Sequence, residues 1–266
     1  MNYSNEFKNI VKKCQEKGLY LGTGNPNSSI LVIGKECAII PNSEQYQREI
    51  SNNINDWNDN INQNIRFDDV SRYLNNPLPK YNPLFPYKGQ RFAVRKETRD
   101  KKIINDGGTS DTWVNYQKLN NKIFEEKSNI NYIDFHKSFF ITEMNEVVSK
   151  TSEITKKEAK EAILKSIRER LDFFKNDLDF FQKFSIIILA CGKKYISEQE
   201  IQDIFTVRIS KEKILKQGQY FRVFFNNDKT KLVINTRQFS SGVLGILMDE
   251  IANEINLFAN ENKIQL

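Results

Sequence analysis

Four short runs of consecutive apolar residues punctuate the chain: Ile30-Leu31-Val32-Ile33, Phe139-Phe140-Ile141, Ile186-Ile187-Ile188-Leu189 and Leu232-Val233-Ile234. Each is β-branched or aromatic and apolar on both faces, the pattern of a buried strand in a parallel sheet. A helical period follows every run. Tyr46, Ile50, Ile54, Trp57 and Ile61 recur on one helical face after the first, with Asn42 or Ser43 placed to cap them. After the second, Thr155-Lys156-Lys157-Glu158 reads as a capping box leading to Ile163, Ile167, Leu171 and Phe174. Ser197 with Glu200 repeats that signal after the third run, and Leu244, Leu247, Ile251, Ile255 and Phe258 follow the fourth. Strand then helix, repeated, predicts an α/β fold: a four-stranded parallel sheet flanked by helices on both faces.

Two insertions interrupt that rhythm. From about Arg66 to Gly108, after the first βα unit, neither period is present, and four of the six prolines (Pro77, Pro79, Pro83 and Pro86) fall there. So long a segment without regular structure points to a functional loop, because ordering it costs entropy that no regular core returns. The second, Tyr220 to Phe225 followed by Asn226-Asn227-Asp228, predicts a β-hairpin running into the last strand. No internal repeat or linker divides the chain, so one domain over 1–266 is expected.

Composition narrows the function classes. No stretch approaches the roughly 20 apolar residues that cross a bilayer, and the opening Met1-Asn2-Tyr3-Ser4 lacks a basic-then-apolar leader. A cytoplasmic protein without membrane association is the expectation, and a monomer. Cys14, Cys37 and Cys191 are odd in number and form no CxxC pair, which points to reduced thiols. His136 is the sole histidine, so triad hydrolases and multi-histidine metal sites are disfavoured, and no cofactor or metal is expected. Forty Lys and Arg against 34 Asp and Glu give a formal charge of +6, which permits nucleic-acid binding. The same lysines can equally decorate solvated helix faces.

Parallel sheets bind ligands outside the carboxyl ends of their strands. Those exits are polar here: Gly34-Lys35-Glu36-Cys37-Ala38, Thr142-Glu143-Met144-Asn145, Gly192-Lys193-Lys194 and Asn235-Thr236-Arg237-Gln238-Phe239-Ser240. They converge on one site if they are more than ordinary turns. Gly22-Thr23-Gly24-Asn25 precedes the first strand instead of following it, and GxxxxGK[ST] is absent, which disfavours a Walker-type nucleotide loop. Gly107-Gly108-Thr109-Ser110 opens a helix whose free N–H groups suit phosphate, with a plain Ser110 cap as the alternative. In that helix Asp111, Trp113, Tyr116 and Gln117 offer aromatic and amide groups for stacking on and bonding a base, unless Trp113 and Tyr116 serve only the core.

This layout resembles the uracil-DNA glycosylase superfamily over roughly residues 28 to 258 in element order. Gly34-Lys35-Glu36-Cys37-Ala38 is similar to the family's first motif, which implies that Glu36 positions the hydrolytic water. Asn235-Thr236-Arg237-Gln238-Phe239-Ser240 stands where the family has a His-Pro-Ser motif; both histidine and proline are missing, and Arg237 is the substitute cation. Thr142-Glu143-Met144-Asn145 lies where the family commonly has a base-reading asparagine. The resemblance implies a DNA glycosylase that flips a base from DNA and hydrolyses its N-glycosidic bond. Glu36 and Arg237 are its catalytic candidates. Lys35, Cys37, Asp111, Trp113, Tyr116, Gln117, Glu143, Asn145, Asn235, Thr236, Gln238 and Ser240 are its substrate-binding candidates. The lost histidine removes uracil as the assumed substrate, and a bulky modified base is an alternative, as in antiviral glycosylases that attack hypermodified phage DNA. A catalytically degenerate nucleic-acid binding module and a nucleoside or nucleotide hydrolase are the rival readings.

Overall fold

The computed structural model describes residues 2–66, 74–75, 78–79, 81–86, 109–124, 133–148, 157–176, 178–240 and 242–266. The chain opens with α1 (Asn5–Lys17), whose first turn is capped by Ser4 Oγ accepting from the Phe7 N–H, and whose end is closed by left-handed Gly18. β1 (Thr23–Gly24) and β2 (Ile30–Gly34) follow. One turn of α2 (Glu44–Tyr46) runs through a π-helical turn, Gln47–Ser51, into α3 (Asn53–Asn62). β3 (Leu74–Asn75) and β4 (Leu78–Pro79) pair antiparallel as a separate two-stranded piece. Then come α4 (Asp111–Ile123), β5 (Phe139–Glu143), α5 (Lys157–Asn176), α6 (Leu178–Phe181) and β6 (Ile186–Leu189). The last third holds α7 (Glu198–Phe205), β7 (Arg208–Ile214), β8 (Tyr220–Phe225), β9 (Leu232–Thr236) and α8 (Gly245–Asn262).

The main sheet is mixed and seven-stranded, in the order β1-β5-β2-β6-β9-β8-β7. The four apolar runs are its centre, β5-β2-β6-β9, and pair in parallel with Ile30 opposite both Phe139 and Ile186, and Ile186 opposite Leu232. The expectation of a sheet of four strands therefore falls short by three antiparallel ones. The Tyr220–Phe225 hairpin strand pairs with β9 as anticipated, but β7 adds beyond it. Every residue of β7 is exposed, so it carries no apolar alternation to read. At the other edge, β1 has only two residues, set against β5. A Cβ on Gly22 or Gly24 would come 2.4 or 2.2 Å from a β5 carbonyl, and both have positive φ, so the close approach of β1 requires glycine.

Each central strand feeds two cores. Leu31, Ile33, Ile187, Leu189 and Val233 pack on one face against α1, α3, α5, α6 and α7, through residues such as Phe7, Trp57, Phe174, Phe181 and Ile201. Ile30, Val32, Ile186, Ile188 and Ile234 pack on the other against α4 and α8, through Tyr116, Leu119, Leu247, Ile251 and Ile255. Helices thus cover both faces, as the doubly apolar runs require. No described helix is long and apolar enough to cross a membrane.

The local signals fared unevenly. Ser43 caps the first helix, accepting from the Tyr46 N–H, while Asn42 takes a positive φ. The single helix expected from Tyr46 to Ile61 is broken by the π turn, which adds a residue per turn and rotates Glu49 into a buried position. Ser197 and Glu200 form the reciprocal capping box of α7. Thr155 and Lys156 lie outside the described residues. So does most of the long insertion, but its 81–86 stretch is core: Tyr81, Leu84 and Phe85 are buried, and the Asn60 and Asn82 amides bond each other at 2.9 and 2.8 Å.

Candidate functional site

β2 and β5 end side by side, with Gly34 opposite Glu143. They stay zipped past the sheet: the Met144 N–H donates to Gly34 O and the Asn145 N–H to Lys35 O, each at 3.0 Å. A Cβ on Gly34 would stand 2.2 Å from Glu143 Oε2. This glycine is therefore what lets the Glu143 carboxyl lie across β2, although its own φ is unremarkable for any residue. Glu143 Oε1 faces Cys37 Sγ at 3.9 Å, and Oε2 is buried without a hydrogen-bond partner among the described residues.

One residue beyond, Lys35 Nζ lies 2.8 Å from Glu36 Oε1, and the Tyr195 hydroxyl donates to Glu36 Oε2. The Lys35 ammonium also stands 5.1 Å from the Tyr195 ring centre. Tyr195 comes from the loop after β6, where Gly192 turns with φ +81°. Three adjacent parallel strands thus deliver Glu143, Glu36 and Tyr195 to one place outside their carboxyl ends, as the topology of such sheets dictates.

There the protein encloses a cavity of about 180 Å³. Lys35, Glu36, Cys37 and Glu143 form its polar side, and Trp113 and Tyr116 of α4 face it with Tyr20, Tyr81 and Ile50. Gln238, from beyond β9, and Gln45 add amides. Burial pushes the Glu143 carboxyl up to about 8, the negative charge of Glu36 adds to that rise, and Arg170 and the Cys37 contact oppose it. Burial also raises the Cys37 thiol, with Glu143 reinforcing it. Tyr195 is raised by burial and by its bond to Glu36. Glu49, also on the wall, is raised by burial against the opposing pull of Arg48, whose Nη2 is 2.8 Å away.

Arg170 of α5 underpins this arrangement from the core. Its guanidinium donates to Glu143 O at 3.0 Å, Tyr20 O at 2.9 Å, Glu146 Oε1 at 2.9 Å and Thr142 Oγ1 at 2.7 Å. The chain on both sides of Glu143 is thereby tied to the segment entering β1.

Seven sequence candidates meet in the cavity wall: Lys35, Glu36, Cys37, Trp113, Tyr116, Glu143 and Gln238. The others are elsewhere. Arg237 is half-buried just past β9 and, unlike its neighbour Gln238, does not form part of this wall. Asp111 sits in the first turn of α4. Gln117 is wholly buried and holds the backbone before β5, its Oε1 accepting from the Asp134 and Phe135 N–H groups. Asn145 closes a turn with Val147, and Thr236 Oγ1 donates to Tyr220 O. Asn235 is buried with Nδ2 3.5 Å from Leu189 O and Oδ1 unpartnered among the described residues. Ser240 offers its carbonyl to Asn115. Gly107 and Gly108 of the proposed anion loop lie outside the described residues, while Ser110 caps α4 by accepting from the Trp113 N–H. Among the described residues no group of three or more His, Cys, Asp or Glu side chains could hold a metal ion.

Tyr195, Arg170 and Glu49 escaped the sequence reading. Tyr195 is the next residue after the Gly192-Lys193-Lys194 exit. Arg170 interrupts the apolar stripe Ile163, Ile167, Leu171, Phe174, and a cation there is a signal of a buried partner. Glu49 had none, because its burial depends on the π turn.

No family model, no curated protein and no solved structure matches this chain significantly.

Proposed function

We propose that the cavity hydrolyses the N-glycosidic bond of a base flipped from DNA, and that the four central parallel strands are the scaffold shared with the uracil-DNA glycosylase superfamily. The observation that carries this reading is the Glu36 carboxylate, held between Lys35 and Tyr195 on the wall of an aromatic-lined cavity at the strand ends. A fixed carboxylate there can orient and deprotonate water and stabilise a cationic sugar. Trp113 and Tyr116 supply flat surfaces for a heterocycle, and Gln238 supplies a donor and an acceptor for its edge. The net charge of +6 suits a polyanionic partner.

The test is mass spectrometry of bases released from oligonucleotides with natural and modified bases, comparing wild type with Glu36→Gln. Loss of about 10²–10⁴-fold in rate with folding intact is expected. Wild-type turnover by the variant would refute the role of Glu36.

A second reading, hydrolysis of a free nucleoside, draws on a specific observation: Lys35 is the one cation in the described cavity wall, and Glu36 already engages it. DNA affinity that falls steeply with salt supports the polymer; affinity indifferent to salt supports the small molecule.

A further inference from the structure

Resting on the hydrolase reading, we propose that Glu143 is the general acid of this site, and that its substrates are bases with a basic ring nitrogen (purines and amino-pyrimidines) rather than imide bases that depart as anions.

The geometry argues for it first. Glu143 lies on the cavity wall beside Glu36, on the neighbouring strand, with Oε2 lacking any partner among the described residues. A carboxylate left so would be a buried anion without compensation, which is costly, whereas the neutral acid needs only to give or receive one bond. The groups around it push the same way on balance. From the β2 exit, Glu36 opposes its ionisation while Cys37 offers only a long, weak contact. From α5, Arg170 favours ionisation, but its Nε bonds the Glu143 carbonyl instead of the carboxyl. Tyr20, Tyr116, Tyr195 and Cys191 sense Glu143 at a distance and are themselves held protonated by burial. Burial and Glu36 prevail, so the group keeps its proton up to about pH 8.

The described wall also lacks a cation not already engaged. A base leaving as an anion is stabilised most strongly by a cation at its edge, and the amide donors of this wall, Gln45 and Gln238, are neutral. Lys35 is engaged by Glu36, and Arg237 stands outside the wall. A base leaving neutral needs an acid instead. In the step that follows, the bond from the sugar carbon to the base nitrogen breaks and its electron pair moves onto the base. The Glu143 proton passes to a basic ring nitrogen, so the base departs neutral. The water oxygen bonds to the sugar carbon, and the water's proton passes to Glu36. Glu36 ends protonated and Glu143 ionised, and exchange with solvent restores both. Burial and the charge of Glu36 thus hold on Glu143 the proton that the departing base needs.

Single-turnover base release from oligonucleotides carrying adenine, guanine, cytosine, uracil or thymine at one position, and from the free nucleosides, tests this from pH 5 to 9. Wild type should release purines or cytosine in preference to uracil and thymine, with a rate that falls above about pH 8. Glu143→Gln keeps the shape of the neutral acid without its proton, so it should fold as wild type by circular dichroism and lose at least about 100-fold in rate. Four results overturn the proposal. Release of uracil or thymine in preference refutes the substrate class. A Glu143→Gln rate within threefold of wild type, or no fall to pH 9, refutes the acid while leaving the hydrolase reading intact. Absence of base release by wild type from all of these substrates and from the modified-base oligonucleotides removes the hydrolase reading and this proposal with it.

Discussion

Replacing Arg170 by methionine should destabilise the fold by about 3–5 kcal/mol, the range for breaking a buried ionic contact by removing one partner. The guanidinium is 1% exposed and serves four acceptors, from Tyr20 and from Thr142, Glu143 and Glu146. It also stacks 4.9 and 4.8 Å from the Phe173 and Phe174 ring centres. Methionine retains much of the aliphatic volume against those rings, so the cavity contribution stays small. What remains is the loss of charged hydrogen bonds, each about 1.5–3 kcal/mol. Their sum exceeds the expected cost because the freed acceptors relax and because Glu146, with its side chain 23% exposed, keeps access to water. Urea unfolding at pH 7 reads this directly. With a slope of about 2–3 kcal/mol/M, the midpoint should fall by roughly 1–2.5 M. A fall of less than about 0.3 M at unchanged slope would refute the assignment of Arg170 as the tie between β5 and the segment entering β1.

Two further outcomes follow from the strand ends. Gly34→Ala places a Cβ 2.2 Å from Glu143 Oε2 and should cost about 1–3 kcal/mol in unfolding free energy; the double variant Gly34→Ala, Glu143→Ala should recover part of it, and additive costs would show that the carboxyl does not lie over this glycine. The Glu143 carboxyl, at about 8 in the fold against an ordinary 4.5, keeps its proton over a range where the unfolded chain has lost it. Its contribution is therefore fully present below about pH 4.5 and is lost as pH rises towards 8. Glu143→Gln should flatten that decline in urea midpoints measured across the interval, and an unchanged slope would count against the raised value.

The centre of the fold was legible because Ile30–Ile33, Ile186–Leu189 and their partners are apolar on both faces, a pattern with few alternatives at such short lengths. The sheet's margins were not: β7 is exposed throughout, and β1 depends on glycines meeting backbone carbonyls, which leaves no hydrophobic trace. Within the site, Lys35, Glu36, Cys37 and Glu143 followed from topology alone, since residues just past parallel strands must share an edge. Weighting Arg237 over Glu143 as the partner of Glu36 came from filling the place of a missing histidine. The one-dimensional pattern holds nothing to show that Gln238, one residue on, is the side chain on the cavity wall. Glu49 was hidden for a different reason: it sits within a π turn, where the helical phase shifts and the buried position falls on Glu49 rather than on Ile50.

The zipped ends of β2 and β5 divide the cavity into halves of unequal freedom. Glu143 and Glu36 hang from backbone that is hydrogen-bonded one residue past the sheet and braced by Arg170, so their spacing is inherited from the core. Tyr81, Ile50 and Trp113 line the cavity from other segments, the 81–86 stretch, the π turn and α4, and none of them is among the groups Arg170 bonds. Substitutions in the second group can reshape what the cavity admits without retuning the acids, and those in the first alter the acids whatever is admitted. Under the proposed hydrolase function, selectivity and reactivity would be separable quantities, open to independent change.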